Sequence, residues 1–209
     1  MIEKLACKVG RKDEVPNIEL AELLCQRADT TGTKEIVDGL KDKDKAVASD
    51  CIKVLYEIGA RKPALISAYV DDFLALLATK SNRLVWGGMT ALATITDFSP
   101  GLIYDKTDAV LSVFRNGSVI AVDNSVTVLA RLCKTGKAYE NLLFPLLLEH
   151  LRTCRSKEDG QTQCIQTQTG LSHSQTPTAA VQIRMYCCRL RFSVSRVSPQ
   201  SRRISERRR

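Results

Sequence analysis

Apolar residues recur along the chain at helical spacing, and the pattern itself repeats every 37 residues. Within each repeat, one set of positions advances in steps of three, as one face of a helix does. A shift of 37 residues superposes Ile52, Met89 and Val126; Leu55, Leu92 and Leu129; and Ile58, Ile95 and Leu132. Such self-similarity is typical of repeat proteins, whose units bury their apolar faces against each other.

A second group of apolar positions follows the same period and predicts a second helix in each repeat. This group comprises Val37, Leu74, Leu111 and Leu148; Ile36, Phe73, Val110 and Leu147; and Leu40, Leu77, Phe114 and Leu151. We expect the first helix of each pair at about 34–41, 63–79, 100–115 and 137–153. We expect the second helices at about 45–59, 82–97 and 118–134, after a helix near 17–28 and a short cap over 1–9. No stretch alternates with a period of two, so no sheet is predicted.

Helix-start residues obey the same period. Asp44, Ser81 and Ser118 are spaced 37 residues apart, each just before a second helix. Their side-chain oxygens suit the N-cap position, where a backbone N–H needs an acceptor. Pro63 and Pro100 are also 37 residues apart and stand where a first helix begins. Proline fits there because its missing N–H would have had no helical partner.

The paired helices, the proline near the start of the first helix and the aliphatic ladder resemble HEAT or armadillo-like repeats over residues 17–153. The resemblance implies an all-α fold, a right-handed α-solenoid of antiparallel helix pairs, with a groove lined by the second helices. It implies little about function, because such solenoids serve as scaffolds, transport factors, enzyme subunits and a few enzymes.

Charge divides the chain in two. Residues 1–154 contain 20 Lys and Arg against 20 Asp and Glu, whereas 155–209 contain 11 against 3, so the whole net charge of +8 lies in the second part. The apolar pattern also ends there, since Gln163, Gln166 and Thr169 stand where a helix would need apolar residues. We therefore predict a HEAT-like domain over 1–154 and a basic tail rich in Arg, Ser and Gln over 155–209. The tail is either a natural disordered extension or the product of a shifted reading frame.

The helix predicted at 137–153 ends the repeat pattern with an apolar face. This face comprises Leu142, Leu143, Leu146, Leu147 and Leu151. In a solenoid it needs a partner helix or a polar capping repeat. If it stays uncovered, we expect the protein to associate with itself through these leucines.

A partner-binding groove is predicted along the non-core positions of the second helices. They form ladders with the same period, in which a small uncharged rung lies between charged rungs, and a groove of this kind suits a peptide or a helix. The indole of Trp86, the single Trp of the chain, is a candidate for stacking at the start of one second helix. The candidate residues are Asp50, Lys53, Glu57, Trp86, Gly87, Thr90, Thr94, Asn124, Thr127 and Arg131.

No catalytic or metal-binding constellation is evident. Asp71 and Asp72 are adjacent, and adjacent helical residues point in different directions. His150 and Cys154 offer two metal ligands at helical spacing, but no third ligand accompanies them. There is no Gly-rich phosphate loop and no Gly-x-Ser-x-Gly motif. The sequence therefore predicts no cofactor, no metal and no enzymatic activity.

The expected location is the cytoplasm. The N-terminal ten residues carry Glu3, Lys4 and Lys8 without an apolar segment behind them, which predicts no secretory signal peptide. No apolar run has the roughly 20 residues that a spanning helix needs. Eight Cys without a C-x-x-C pair are then expected as reduced thiols.

The predicted function is a non-enzymatic protein–protein interaction scaffold. Two alternatives remain open. One is nucleic-acid binding, through the basic tail or through the inner face of the second helices. The other is a HEAT-like DNA glycosylase; by resemblance those enzymes use aromatic side chains and a catalytic Asp, whereas Thr90 stands one turn after Trp86.

Overall fold

The computed structural model describes the backbone of residues 1–158 and the side chains of residues 1–150. This part of the chain is all-α: it contains nine α-helices, several 3₁₀ turns and no strand. The helices are α1 (Val15–Arg27), α2 (Thr30–Asp38), α3 (Lys45–Arg61), α4 (Val70–Leu76), α5 (Asn82–Ile95), α6 (Pro100–Asp105), α7 (Thr107–Asn116), α8 (Val119–Thr135) and α9 (Lys137–Glu158).

The predicted second helices are α3, α5 and α8, and their bounds agree with the pattern to within two residues. All nine positions of the first apolar set are buried, with exposed fractions of at most 5%. Cys51, Gly88 and Ser125, which share a register position 37 residues apart, are buried as well. The periodic positions of these helices therefore form the core.

The first helices are less regular than the pattern predicts. Two 3₁₀ turns occupy Pro63–Leu65 and Ser67–Tyr69, so only Val70–Leu76 is α-helical in the predicted helix 63–79. The predicted helix 100–115 is interrupted at Lys106, whose φ of −116° and ψ of 25° are not helical. Next to this interruption, the hydroxyl of Thr107 donates to the carbonyl of Tyr104. Short polar side chains compete with helical hydrogen bonds in this way.

Helix starts lie where the sequence predicts, but their capping differs. The Asp44 carboxylate accepts a hydrogen bond from the N–H of Ala46 at 2.9 Å. Ser81 and Ser118 occupy the N-cap positions of α5 and α8 without a side-chain capping bond. Pro63 and Pro100 each begin a helical segment. The periodic residues thus mark helix starts, and the capping hydrogen bond forms at the first of the three.

Helices α1, α3, α5 and α8 contact one another in that order. Paired positions show that neighbours run in the same direction. A Cβ on Gly87 would lie 2.6 Å from Ile52 Cγ1, and Gly59 similarly faces Thr94. Later positions of α3 therefore meet later positions of α5, at an offset of 35 residues.

The predicted first helices pack on their own second helices: α2 on α3, α4 on α5, and α7 on α8. Consecutive first helices also meet at single points. Lys106 Nζ lies 2.6 Å from Asp71 Oδ1, and Lys41 Nζ lies 2.9 Å from Asp72 Oδ1. The adjacent carboxylates of Asp71 and Asp72 therefore form ion pairs with lysines from two different segments of the chain.

In α9, two of the leucines that were expected on an uncovered face are buried. Leu143 and Leu147 are buried, with 1% and 6% of their surfaces exposed, and α9 packs against α8. Leu142 is 62% exposed and Leu146 is half-buried. Leu143 and Leu147 are thus core residues, because α8 covers them. The side chain of Leu151, and the tail beyond residue 158, lie outside the described residues.

Candidate binding surface

The surface formed by the parallel helices α1, α3, α5 and α8 is called here the second-helix face. Between α1 and α3 it carries a continuous ion-pair network. Lys53 Nζ lies 2.9 Å from both Glu14 Oε2 and Glu57 Oε1. Arg61 continues the network by contacting Glu57 and, at 3.2 Å, Glu22 Oε1. The network therefore joins α1 and α3 along most of their shared length.

Lys53 is the centre of this network and only 7% of its surface is exposed. Burial disfavours its charged form, but the hydrogen bonds to Glu14 and Glu57 outweigh burial and raise the pKa of Lys53. The same bonds, with those from Arg61 and Arg83, hold the pKa values of Glu57 and Glu14 below their ordinary range despite burial. Lys53, Glu14 and Glu57 are therefore charged at neutral pH.

Aromatic rings connect this network to α5. The rings of Tyr56 and Trp86 are 5.7 Å apart, and Lys53 Nζ lies 4.9 Å from the centre of the Tyr56 ring. Arg83 covers Trp86 with its guanidinium carbon 4.7 Å from the ring centre, while its Nη2 lies 2.6 Å from Glu14 Oε1. Each ring is therefore already matched with a cation from the protein itself.

Neutral hydrogen bonds connect α5 and α8. Asn124 Nδ2 donates to Thr90 Oγ1 at 3.1 Å and to the carbonyl of Ile120 at 3.0 Å. Thr90 Oγ1 in turn donates to the carbonyl of Trp86 at 2.7 Å. This chain places Trp86 and Ile120 at the same level of two adjacent helices.

Arg131 joins the far end of the same two helices. Its Nη1 lies 3.4 Å from Asp97 Oδ2. Its Nε is buried and has no hydrogen-bond partner in the described part of the chain. Thr127, one turn earlier on α8, is half-buried and donates to the carbonyl of Asp123 at 3.2 Å.

Three predicted groove residues make contacts within the protein that hold its segments together. Gly87 is buried where α5 approaches Ile52. Thr94 lies against Gly59 and donates to the carbonyl of Ala91 at 2.7 Å. Asp50 accepts a hydrogen bond from the backbone N–H of Cys7 at 2.8 Å and so holds the N-terminal segment. The remaining candidates lie in the ion-pair network, the aromatic pair or the contact between α5 and α8.

The sequence interpretation missed several residues of this face: Glu14, Glu22, Tyr56, Arg61 and Arg83. Part of the signal was present, because Lys53, Glu57 and Arg61 alternate in sign at i, i+4 spacing on one helix. The pairing of Glu14 and Glu22 with the next helix depends on tertiary packing. No helical periodicity within α1 reveals it.

Acid–base catalysis has little basis at this face. Glu14 and Glu57 are the carboxylates nearest to the aromatic pair, and both are engaged by cations and have lowered pKa values. A general base works best with a pKa near the operating pH. Among the described residues no group of three metal-ligating side chains occurs.

Buried thiols of the domain have raised pKa values. Burial raises the pKa of Cys51 to about 12 and that of Cys133 to about 11. Burial and the hydrogen bond with Asp50 raise the pKa of Cys7 to about 11. Since the thiolate is the nucleophile, raised pKa values leave these three residues mainly as thiols at neutral pH.

No family model, curated protein or solved structure matches this chain. In the described part of the chain, no helix combines the length and apolar character needed to span a bilayer.

Proposed function

We propose that the protein is a non-enzymatic, cytoplasmic interaction scaffold with the architecture of a right-handed HEAT- or armadillo-like α-solenoid. Its second helices bind a peptide or helix of a partner protein. The architecture is supported by the parallel contacts of α1, α3, α5 and α8. It is also supported by contacts such as Thr90 with Asn124, whose offset of 34 residues is close to the sequence period.

One observation carries the binding proposal. Tyr56 and Trp86 pair across α3 and α5, and the hydrogen bonds of Asn124 and Thr90 place the backbone of Ile120 on α8 level with that of Trp86. These three positions define a row across the three helices, and Ile120 is 46% exposed. Polar side chains that already have internal partners surround this row. A rigid surface of this kind offers apolar contact to a partner without leaving buried charges unpaired.

Peptide selection tests this proposal. Random peptides displayed on phage are selected against the full chain, and the selected peptides are then measured with two variants. Thr90→Arg places a long cation between α5 and α8, and we expect it to weaken binding at least about tenfold, which is about 1.4 kcal/mol.

Ser112→Arg is the matched control, because Ser112 is exposed on α7 and outside the second-helix face. It should leave affinity unchanged, and circular dichroism should show that both variants are folded. If peptides bind Thr90→Arg as well as the unmodified chain, the second-helix face is not the binding surface.

Nucleic-acid binding is a second candidate because 155–209 carries the net charge of +8. The inner face gives little support, since Lys53, Arg61, Arg83 and Arg131 all contact carboxylates. Binding through the tail should fall steeply with salt and disappear when residues 155–209 are removed. Binding that survives this truncation would exclude the tail as its source.

Self-association through α9 is a further proposal about partners. Its support is the exposed side chain of Leu142, together with Leu148, which is 37% exposed. Sedimentation at increasing concentration tests it. We expect dimers that Leu142→Lys dissociates, and a monomer at every concentration would reject the proposal.

A further inference from the structure

Near the N-terminal ends of α5 and α8, Arg83 is paired with Glu14, but two further cations make no ion pair within the described part of the chain. Lys80 lies just before α5, and Arg115 lies in the last turn of α7, just before α8. Both residues are exposed, and neither has an ion pair among the described residues. Neither 79–83 nor 115–118 contains an acidic residue. The helix dipoles add positive potential at the same end, because α5 and α8 run parallel.

This end differs from the rest of the second-helix face. Lys53, Arg61 and Arg83 are each held by carboxylates of α1 or α3. The acidic residues before α3 cap backbone groups: Asp42 accepts from the N–H of Asp44 at 2.8 Å, and Asp44 accepts from Ala46. Lys80 and Arg115 thus remain exposed and without an ion pair in the described part of the chain.

Apolar surface lies directly beside these cations. Val119 and Ile120 begin α8 with 65% and 46% of their surfaces exposed. The hydrogen bonds of Asn124 and Thr90 hold Ile120 at the level of Trp86. Because adjacent helical residues point in different directions, Val119 and Ile120 do not share one contact area, and Ile120, level with Trp86, is the one that offers contact to an apolar side chain.

We propose that this end of the face binds an acidic peptide segment with apolar anchor residues. The site is defined by Lys80, Trp86, Arg115, Val119 and Ile120 and is called here the α5–α8 site. An apolar side chain of the partner rests on Ile120 and the exposed part of Trp86, and carboxylates of the partner meet Lys80 and Arg115. This inference rests on the proposed function and names the chemistry of the partner.

Two features favour a peptide over a nucleic acid. Tyr56 flanks the single indole on the α3 side, but the exposed side chains on the α8 side are aliphatic, whereas single-stranded nucleic acids use a series of aromatic rings as stacking platforms. Asp123 lies one turn after Val119 on α8, and a phosphate backbone that continued along the helix would meet this carboxylate. An acidic segment of a few residues can end before it.

Fluorescence anisotropy of labelled dodecapeptides with the full chain tests this inference. The first probe combines five Asp and Glu residues with a Leu and a Phe three residues apart. In the second probe Ser replaces Leu and Phe, and in the third Lys replaces the acidic residues. An unlabelled single-stranded DNA dodecamer is the competitor. We expect the first probe to bind at least about tenfold more tightly than the other two.

Variants locate the binding. The double variant Lys80→Glu with Arg115→Glu should weaken binding of the first probe at least about tenfold, and Ile120→Ser several-fold. The control double variant is Arg27→Glu with Lys137→Glu, which makes the same change of charge. Both control residues are exposed and lack ion pairs in the described part, and Arg27 ends α1 at the opposite end of the parallel helices.

Three results would overturn the inference: equal binding of the first two probes, equal loss in the two double variants, or displacement by the DNA dodecamer at equal concentration. The selected peptides distinguish a failure of this inference from a failure of the proposed function. Selected peptides that are not acidic but still depend on Thr90 would keep the second-helix face as a binding surface and reject the acidic partner. A selection that yields no peptide dependent on Thr90 would reject the proposed function itself.

Discussion

The two halves of the second-helix face use different chemistry. Between α1 and α5, Glu14, Lys53 and Glu57 satisfy one another, and cations cover the Tyr56 and Trp86 rings. Between α5 and α8, the pair of Arg131 with Asp97 lies at the far end, neutral hydrogen bonds replace ion pairs nearer the helix starts, and apolar side chains such as Ile120 stay exposed. The first half holds helices together, and the second half leaves apolar surface exposed.

Burial explains this difference. In the first half Lys53 is almost fully buried, so its charge needs partners inside the protein. In the second half Asn124 and Thr90 are half-buried and uncharged. Neither side chain therefore needs an oppositely charged partner, and one hydrogen bond joins them. Substitutions should therefore cost more stability in the first half than in the second.

The largest effect is expected for Lys53→Ala. It removes the shared partner of Glu14 and Glu57, although Arg83 and Arg61 still contact them. We expect a loss of about 2 kcal/mol in the free energy of unfolding, measured by urea denaturation. Lys80→Ala is the control and should change this free energy by less than about 0.5 kcal/mol, because Lys80 is exposed. Equal effects of the two substitutions would contradict a structural role for the network.

Gly87→Ala tests the close approach of α3 and α5. The new Cβ would lie 2.6 Å from Ile52 Cγ1 and 3.1 Å from its Cγ2, so packing must change. We expect a loss of about 1–2 kcal/mol, since overpacking costs more than the improved helix propensity returns. Gly101→Ala is the control, because its Cβ would meet no atom within 4 Å. Equal stability of the Gly87 variant and the unmodified chain would mean that the helices can separate without cost.

Asn124→Ala tests the second half. The substitution removes the hydrogen bond to Thr90, and we expect a loss of about 1 kcal/mol. Asn141→Ala is the control, because Asn141 is exposed on α9. Thermal denaturation of both variants measures the difference. A loss as large as that of Lys53→Ala would remove the distinction between the two halves.

The two halves should also differ in the sign of their pH dependence. Glu14 and Glu57 have lowered pKa values in the folded state, so their stabilisation is present above the unfolded pKa and is lost as pH falls through the folded pKa. Burial raises the pKa of Asp123, with His150 opposing this, so ionised Asp123 destabilises the fold.

We therefore expect Asp123→Asn to stabilise the protein at pH 7 by less than about 1 kcal/mol. This advantage should shrink as pH falls and Asp123 becomes protonated. Urea denaturation at pH 7 and below pH 4 measures both values. An Asn variant that is less stable than the unmodified chain at pH 7 would contradict the sign.

The sequence predicts the second helices better than the first, and packing explains why. Helix α5 has parallel neighbours on both sides, so its apolar positions must recur regularly. The first helices pack mainly on their own second helices and tolerate interruptions such as that at Lys106. The second apolar set is accordingly less buried, and Leu148 is 37% exposed. A periodic pattern does not reveal where a helix is interrupted.

The candidate surface was predicted in outline but not in its connections. Lys53, Thr90 and Asn124 follow from the period of 37 residues, and Trp86 follows from its being the single Trp of the chain. The period does not distinguish a surface position from one that two helices bury between them, and Gly87 is such a buried position. Charges from a neighbouring helix, such as Glu14, carry no periodic signal within their own helix.

The sequence by itself determined the helical class and the core positions of the second helices, because apolar periodicity reflects which side of each helix must leave water. The tertiary structure decided which polar residues meet, because the offset between parallel helices depends on how closely their backbones approach. Gly87 against Ile52 and Gly59 against Thr94 set that approach between α3 and α5. The order of contacts along the second-helix face follows from this offset.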